Sequence, residues 1–266
     1  MLDAVATVAV AMVAGGSLEV AIRLGLGMLG LQFAIGSAND IADAPADAIA
    51  KAWKPIPSGS LTRRNALAVC LVASIAGLTF AASVSTEALW VAFAGLADGL
   101  LYDLKLKATP VAWLPFAVGV GLLPLYGWIG GRGAITPAFA GIVALSVVAG
   151  AVLALANAYG DLERDRLSGT RTIATLLGPR RTLILDAAGT AVLQIVVLAI
   201  TIAVRGPVGL MVAEVSGCSL GWLGLAPTGF DDDRLKTLVW EVQAVGFAVL
   251  GTAWLAVLST GGFLGS

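Results

Sequence analysis

Nine apolar segments, each close to the length that a helix needs to cross a lipid bilayer, follow one another along this chain of 266 residues. A spanning helix requires about 20 consecutive, mostly apolar residues. The mean hydropathy is +0.93 and only 12% of the residues are charged, against about 25% in soluble domains. The sequence therefore predicts an all-α polytopic membrane protein in which residues 1–266 form a single integral-membrane domain. The predicted segments cover residues 2–16, 18–38, 65–85, 87–104, 111–130, 135–160, 181–204, 206–225 and 236–259.

Basic residues are distributed unevenly between the two sides of these segments. The connections after the second, fourth, sixth and eighth segments hold 13 of the 16 Lys and Arg residues, whereas the opposite side holds Arg132 and Arg205. Loops rich in Lys and Arg remain in the cytoplasm. We therefore predict a protein of the cell membrane with its N-terminus inside, its C-terminus outside and the even-numbered connections in the cytoplasm.

A polar motif follows the second apolar segment. Asn39, Asp43 and Asp47 are spaced four residues apart. Each such step on an α-helix rotates the side chain by only about 40°, so the three side chains share one face. Pro45 is expected to kink this helix between the two aspartates, because proline disturbs a helix interior.

The same spacing returns in Asn157, Asp161 and Asp165, after the sixth segment. No proline interrupts this second copy, which is expected to be the more regular one and to end at Gly169 or Gly178. Two such faces opposite each other would offer carboxylate and carbonyl oxygens, which hard cations such as Mg²⁺ prefer, with phosphate oxygens completing the coordination shell. The two motifs together predict the binding of a metal-held diphosphate.

Several functions are excluded or disfavoured by the composition. The chain contains no histidine, which excludes histidine-ligated haem and histidine-based acid or base catalysis. Cys70 and Cys218 lie in apolar stretches without metal-ligand spacing, so they are interpreted as buried small apolar residues. The basic residues lie between apolar segments rather than on one continuous face, so no nucleic-acid partner is expected. No motif indicates a required protein partner.

The motifs resemble those of the UbiA superfamily of intramembrane prenyltransferases. The resemblance rests on NDIADAPAD with KPIPSG, on YDLKLK, and on DLERDRLSGTRTIATLLG. It extends over nearly the whole chain, because these motifs follow spans two, four and six in the order that the family shows. The resemblance implies a helical bundle around a central cavity, capped by cytoplasmic loops, in which Mg²⁺ holds an isoprenyl diphosphate that loses its diphosphate.

Carried over residue by residue, the resemblance implies metal-binding roles for both polar motifs. Asn39, Asp43 and Asp47 correspond to the first aspartate-rich motif, and Asp161 and Asp165 to the second. All five residues are predicted metal ligands, and the four aspartates are predicted to be catalytic.

The resemblance also implies cationic and aromatic contacts to the substrate. Lys105, paired with Tyr102, is predicted to contact the diphosphate directly and to be catalytic. An allylic carbon–oxygen bond ionises only if the charge of the leaving diphosphate is neutralised, which metal ions and basic side chains do best in a water-poor site. The predicted substrate-binding residues are Asn39, Tyr102, Lys51, Lys54, Asn157, Arg166 and Arg171.

The acceptor is the open part of this prediction. KPIPSG and YDLKLK look most like digeranylgeranylglyceryl phosphate synthases, although PIPSG is also similar to chlorophyll synthases. A glycerol-phosphate lipid within the membrane is therefore favoured as the acceptor over 4-hydroxybenzoate. The carboxylate of the benzoate would need a basic group inside a span. Arg23, the basic residue within a span, is expected to pair with Glu19.

Three alternatives remain at this point. An aromatic acceptor of the 4-hydroxybenzoate, quinone or chlorophyll type would use the same donor chemistry. A terpene cyclase would let the allylic cation close on itself, without an acceptor. A secondary transporter would use the intramembrane carboxylates, but transporter sites tend to lie near the bilayer midplane, whereas both motifs here lie at the ends of their spans.

The predicted orientation can be tested with cysteine labelling. In Ser58→Cys and Ser168→Cys variants, the new thiol should react with a membrane-impermeant maleimide only after the cells are opened, because both residues lie in predicted cytoplasmic connections. Labelling of either variant from outside intact cells would contradict the orientation. The unsubstituted protein, with its two native cysteines, supplies the background.

Overall fold

The computed structural model describes residues 1–132, 135–223, 225 and 233–260. Every regular element within these ranges is helical, as the sequence predicts. A single π-helical turn, Tyr102–Leu106, follows the fourth helix. The α-helices are α1 Leu2–Val13, α2 Leu18–Ala50, α3 Arg63–Ala82, α4 Thr86–Leu101, α5 Trp113–Arg132, α6 Pro137–Gly160, α7 Leu162–Ser168, α8 Ile173–Leu177, α9 Pro179–Ala203, α10 Val208–Leu223 and α11 Asp233–Thr260.

Hydroxyl side chains mark the starts of four of the helices, α2, α3, α4 and α6. Ser17, Thr62, Ser85 and Thr136 each accept a hydrogen bond from the backbone N–H three residues later, at the starts of α2, α3, α4 and α6. Such a cap satisfies one of the N–H groups that the first helical turn leaves without a partner. The sequence thus sets where each of these helices begins.

All nine predicted segments are helical, but not all are long enough to span a membrane. Six of the described helices are sufficiently long and apolar: they occupy residues 18–49, 63–82, 113–131, 137–160, 179–203 and 240–260. The helices α1 and α10 are apolar but shorter, and α4 has only 16 residues. The membrane-protein class is confirmed, whereas the count of nine spans is not.

The chain divides into two compact units. One comprises Met1–Lys107 with Tyr126–Gly133, and the other comprises Ala108–Leu125 with Ala134–Ser266. The first polar motif belongs to the first unit and the second motif to the second. A single domain over residues 1–266 stays a prediction. Ser266, whose location outside the membrane is predicted, lies beyond the described residues.

In the first unit, α2 and α3 approach each other closely at glycines. A Cβ atom added to Gly30 would lie 2.9 Å from the backbone nitrogen of Gly77 and 3.0 Å from the carbonyl oxygen of Ala73. Small residues at such crossings let membrane helices pack backbone to backbone, where no hydrophobic effect drives them together. This contact fixes the helix that carries the first polar motif.

In the second unit, α10 and α11 cross in the same way. A Cβ atom added to Gly246 would lie 2.6 Å from the backbone nitrogen of Gly221 and 2.7 Å from the carbonyl oxygen of Gly217. Gly251, also on α11, has nothing within 4 Å of such an atom. On the same helix, Gly246 thus has no room for a side chain, whereas Gly251 does.

Buried polar groups link the helices of the second unit. The Gln243 amide of α11 donates hydrogen bonds to Asp186 Oδ1 at 2.9 Å and Thr190 Oγ1 at 3.2 Å, both on α9. The Thr201 hydroxyl of α9 donates to Glu214 Oε1 of α10 at 2.8 Å. Because burial of a polar group without a partner is costly, these bonds favour one arrangement of the three helices.

We expect Gly246→Ala to destabilise the protein, because the added methyl group meets backbone atoms that cannot rotate away. The loss should be about 1–3 kcal/mol in the free energy of unfolding, the usual cost of overpacking. Unfolding in mixed detergent and SDS micelles measures it. Gly251→Ala is the matched control and should have no destabilising effect. Equal stability of the two variants would contradict the close crossing of α10 and α11.

Candidate functional site

The first polar motif lies on one uninterrupted helix. α2 continues through Pro45 to Ala50, so Asn39, Asp43 and Asp47 share a face as predicted. Asn39 and Asp43 are half-buried, and Asp47 is buried. The helix therefore presents its oxygen atoms where the protein shields them from much of the solvent.

Two of these oxygens converge on Lys107. The Lys107 ammonium donates to Asn39 Oδ1 at 3.0 Å and forms an ion pair with Asp43 Oδ1. The two acceptors are four residues, or about one helical turn, apart, so a single cationic atom can contact both. The spacing of the motif thus creates a binding point for one positive charge.

A second convergence point holds Lys54. Its ammonium lies 3.0 Å from Asp40 Oδ1 and 2.7 Å from Asp47 Oδ2. Asp40 and Asp47 are seven residues apart, which is only about 20° short of two full helical turns. Lys54 therefore bridges two carboxylates on the same side of α2.

A compact turn positions Lys54. The carbonyl oxygen of Pro55 accepts hydrogen bonds from the Leu61 backbone N–H at 2.9 Å and from the Ser58 and Ser60 hydroxyls at 3.2 and 3.1 Å. Gly59 adopts φ +78° within this turn, a conformation that glycine tolerates. The KPIPSG motif is thus the sequence that folds the chain back so that Lys54 faces α2.

The charge of Lys54 is stabilised by its partners. Burial alone would lower the pKa of Lys54, but the hydrogen bonds and negative charges of Asp47 and Asp40 outweigh burial and raise the pKa above its usual 10.5. The pairing therefore contributes to stability below pH 10.5, and this contribution is lost as the pH rises through the folded-state pKa. Lys54 is a cation at physiological pH.

The π-helical turn Tyr102–Leu106 positions Lys107. The Lys107 backbone N–H donates to the carbonyl oxygen of Tyr102 at 2.9 Å, five residues earlier. Asp103, within this turn, is buried, and its Oδ2 atom has no hydrogen-bond partner among the described residues. Wider turns of this kind often occur at functional sites.

The predicted lysine of this segment occupies a different environment. The Lys105 side chain is exposed and makes no hydrogen bond or ion pair with any residue that the structure describes, whereas the Lys107 ammonium contacts two residues of the first motif. Tyr102 and Lys51 are half-buried, and the Lys51 N–H ends α2 by donating to the Asp47 carbonyl oxygen at 2.7 Å. The direct role predicted for Lys105 stays a prediction.

The second polar motif is less regular than predicted, and this expectation was wrong. α6 ends at Gly160, and Asp161, with φ −92° and ψ −2°, separates it from α7. Backbone hydrogen bonds still connect Asp161 to Asn157 and Asp165 to Asp161. Gly160 is a poor helix former, and Asp161 takes the position that joins the two helices. The end of α7 at Gly169, which has φ +72°, is as predicted.

The side chains of this motif have local partners within the second unit. Asp161 forms an ion pair with Arg164 at 2.5 Å. The Thr172 hydroxyl donates to Asp165 Oδ2 at 3.1 Å. Burial raises the pKa of Asp165 above its usual value, the Thr172 hydrogen bond opposes this rise, and the nearby charge of Asp161 adds to it.

The other predicted residues of this unit are placed differently. Asn157 is half-buried near the end of α6, while Arg166 and Arg171 are exposed. The contacts to Asp161 and Asp165 come instead from Arg164 and Thr172. No relation in sequence spacing distinguishes Thr172 from the other hydroxyl residues of this loop.

Two residues that make contacts at the first motif, Asp40 and Lys107, were not predicted there. Asp40 could have been found from its spacing of seven residues to Asp47, which predicts a shared helical face. Lys107 could not be chosen over Lys105 from the sequence, because the choice depends on the π-helical turn. The sequence therefore predicted the acidic face of α2, but it did not identify which lysine side chains bind to that face.

The donor chemistry of the first motif fits a hard cation. Asn39 and Asp43 direct one amide and one carboxylate oxygen at a single point, and Mg²⁺ takes oxygen ligands of this kind while leaving positions for phosphate oxygens. Within the described ranges, no group of three or more acidic or thiol side chains is arranged to hold a metal. The protein thus offers a partial coordination shell, which a phosphate-bearing ligand would complete.

Comparisons with known proteins agree with this chemistry. A model of the UbiA prenyltransferase family matches residues 4–240. The digeranylgeranylglyceryl phosphate synthase of Korarchaeum cryptofilum (strain OPF8) is 30% identical over 148 residues, which cover 55% of this chain and 52% of that protein. The match therefore spans about half the length of this relative. The chloroplastic chlorophyll synthase of Oryza sativa subsp. japonica is 28% identical over 153 residues, covering 53% of this chain and 40% of that protein.

A solved structure has the same fold. A UbiA homologue from Archaeoglobus fulgidus, bound to DMAPP and Mg²⁺, is 20% identical and covers 94% of this chain and 95% of its own, with a TM-score of 0.70. At this identity the likeness establishes the fold. The motifs, the family match and the fold lead to the same family.

Proposed function

The chain belongs to the UbiA prenyltransferase family, and from this premise we propose that it transfers an isoprenyl group from an isoprenyl diphosphate to a lipophilic acceptor within the membrane. The donor class is supported by the Archaeoglobus homologue bound to DMAPP and Mg²⁺. The motifs on α2 and around Asp161 are the parts of this chain that have the matching chemistry.

The observation that carries this proposal is the convergence of the Asn39 and Asp43 oxygens on one cationic atom. Asn39, Asp43 and Asp47 would hold Mg²⁺ on the first motif, and Asp161 and Asp165 on the second. The metal supplies charge neutralisation for the leaving diphosphate. The aspartates also keep their own positions through ion pairs and hydrogen bonds, so binding requires little reorganisation of the backbone.

Basic side chains add to this neutralisation. Lys54 and Lys107 already lie at the first motif, on the face where the diphosphate oxygens would bind. Lys51 and Lys105 extend the positive charge along the same predicted cytoplasmic surface, and Arg166 and Arg171 do so near the second motif. The Tyr102 ring is the aromatic group of the central motif, and its electron-rich face can stabilise an allylic cation.

For the acceptor we favour a glycerol-phosphate lipid. A phosphate-bearing acceptor needs cationic partners near the predicted cytoplasmic face. Lys51 and Lys54 after α2, together with Arg63 and Arg64 at the start of α3, supply them. A benzoate would instead need a free basic group within a span. Arg23 does not meet this need, because it forms an ion pair with Glu19, as the sequence predicts, and donates to the Ser83 carbonyl oxygen at 3.3 Å.

The second candidate is an acceptor of the chlorophyll type. It is favoured by the likeness to the Oryza chlorophyll synthase and uses the same diphosphate chemistry. A terpene cyclase would differ only in lacking an acceptor. A secondary transporter is disfavoured, because the family match concerns prenyltransferases. The predicted orientation, with both motifs facing the cytoplasm, belongs to the proposal as well.

Activity should require Mg²⁺ or Mn²⁺ and one aspartate from each motif. Asp43→Ala and Asp161→Ala should each lower kcat/KM at least about a hundredfold, since each removes negative charge that holds the cation needed for ionisation. Glu163→Ala, which removes a negative charge from an exposed residue of α7 other than Asp161 and Asp165, should retain activity. Full turnover in EDTA, or by a protein with both aspartates replaced, would contradict the proposal.

The acceptor can be identified by mass spectrometry of the products. Purified protein with Mg²⁺ and geranylgeranyl diphosphate should prenylate geranylgeranylglyceryl phosphate and leave 4-hydroxybenzoate unchanged, because only the former offers a phosphate to the basic connection after α2. Chlorophyllide tests the second candidate in a parallel reaction, and a reaction without acceptor tests cyclisation. Prenylation of the benzoate alone would show that the acceptor assignment is wrong.

A further inference from the structure

Lys107 binds the same two oxygens that the proposed function assigns to a divalent cation. Its ammonium lies 3.0 Å from Asn39 Oδ1 and is ion-paired with Asp43 Oδ1. Lys54 is engaged separately with Asp40 and Asp47. Among the described residues, Lys107 is thus the cation of the Asn39–Asp43 pair.

An ammonium group and a metal ion cannot share this position. Mg²⁺ binds its oxygen ligands at about 2.0–2.1 Å, so it would have to occupy the space between the oxygens where the Lys107 ammonium lies. Two cations at this separation also repel each other strongly in a half-buried site. Binding of one therefore requires displacement of the other.

We propose that Lys107 competes with the divalent cation for Asn39 and Asp43. When metal and diphosphate bind together, the Lys107 ammonium moves away from Asn39 and Asp43 and pairs with the diphosphate. This inference rests on the proposed function, because that function supplies the diphosphate. It adds one change within the protein to that function. The lysine exchanges its carboxylate partner for a phosphate partner, and the metal takes the position that the ammonium has left.

Three features allow this exchange. The lysine side chain is a flexible four-carbon chain with a compact charge, and Lys107 is only half-buried. It follows the π-helical turn directly, and its backbone is held by the Tyr102 carbonyl oxygen, so an exchange of partners needs rotation of the side chain only. Asp103 is buried near these groups, and its carboxylate favours a cation at this position.

As a consequence, the affinity for the metal should depend on whether diphosphate is bound. Metal alone must compete with Lys107 and should bind weakly, since the apparent dissociation constant rises as the competent fraction of the protein falls. Diphosphate gives Lys107 another anion to bind and frees the two oxygens. Metal and diphosphate should therefore bind with positive cooperativity.

Mn²⁺ binding, measured from the electron paramagnetic resonance signal of free Mn²⁺, tests this inference without any turnover. In Lys107→Met, Mn²⁺ alone should bind about tenfold more tightly than in the unsubstituted protein, as expected if the lysine-bound form makes up about nine-tenths of the population. The affinity for inorganic diphosphate in saturating Mn²⁺ should fall in the same variant. A residue with a purely structural role would weaken both.

Lys105→Met is the matched control. It removes the same charge two residues before Lys107, and the Lys105 side chain is exposed and has no partner among the described residues. Its affinity for Mn²⁺ alone should equal that of the unsubstituted protein. Unchanged or weaker Mn²⁺ binding in Lys107→Met would overturn the inference. If Lys107→Met is unstable in EDTA, its melting temperature should rise with Mn²⁺ more than that of the unsubstituted protein, and an equal or smaller rise would also overturn it.

The outcome separates this inference from the proposed function. If the unsubstituted protein binds Mn²⁺ with inorganic diphosphate but Lys107→Met leaves the affinity for metal alone unchanged, only the competition fails. If the unsubstituted protein binds no Mn²⁺ even with diphosphate, the metal-dependent function itself fails.

Discussion

Negative charge at the end of an apolar helix is the constraint on which the first unit depends. α2 carries Asp40, Asp43 and Asp47 within two turns, and partly buried carboxylates are costly unless cations lie beside them. The chain meets this need with lysines from two separate segments, Lys54 and Lys107. Because Lys107 lies 64 residues beyond Asp43 in the sequence, the helices must be held in register for the acidic face to be stable.

The glycine crossings provide that register. Close backbone contact between α2 and α3 at Gly30 and Gly77 leaves little freedom for the helices to slide, since the packed backbones fit in few positions. In the second unit the crossing of α10 and α11 does the same, and the buried hydrogen bond of Gln243 to Asp186 adds directional specificity. The rigid helices thus serve to place a few polar side chains at their ends.

The two motifs show how one spacing can produce different local structures. On α2 the helix passes through Pro45 without ending, although proline was expected to disturb it. At the second motif the helix is interrupted at Asp161, where no proline is present. The break follows Gly160, a poor helix former, so a glycine at the end of a helix can interrupt the repeat where a proline inside α2 does not.

The sequence by itself determined the helical membrane class, the starts of α2, α3, α4 and α6 at their hydroxyl caps, and the shared face of Asn39, Asp43 and Asp47. These features depend on hydrophobic length, capping and helical periodicity, which are local properties of the chain. The tertiary structure alone decided that Lys107 rather than Lys105 binds Asn39 and Asp43. This outcome depends on a contact between residues far apart in sequence and on a π-helical turn, for which single-residue spacing contains no signal.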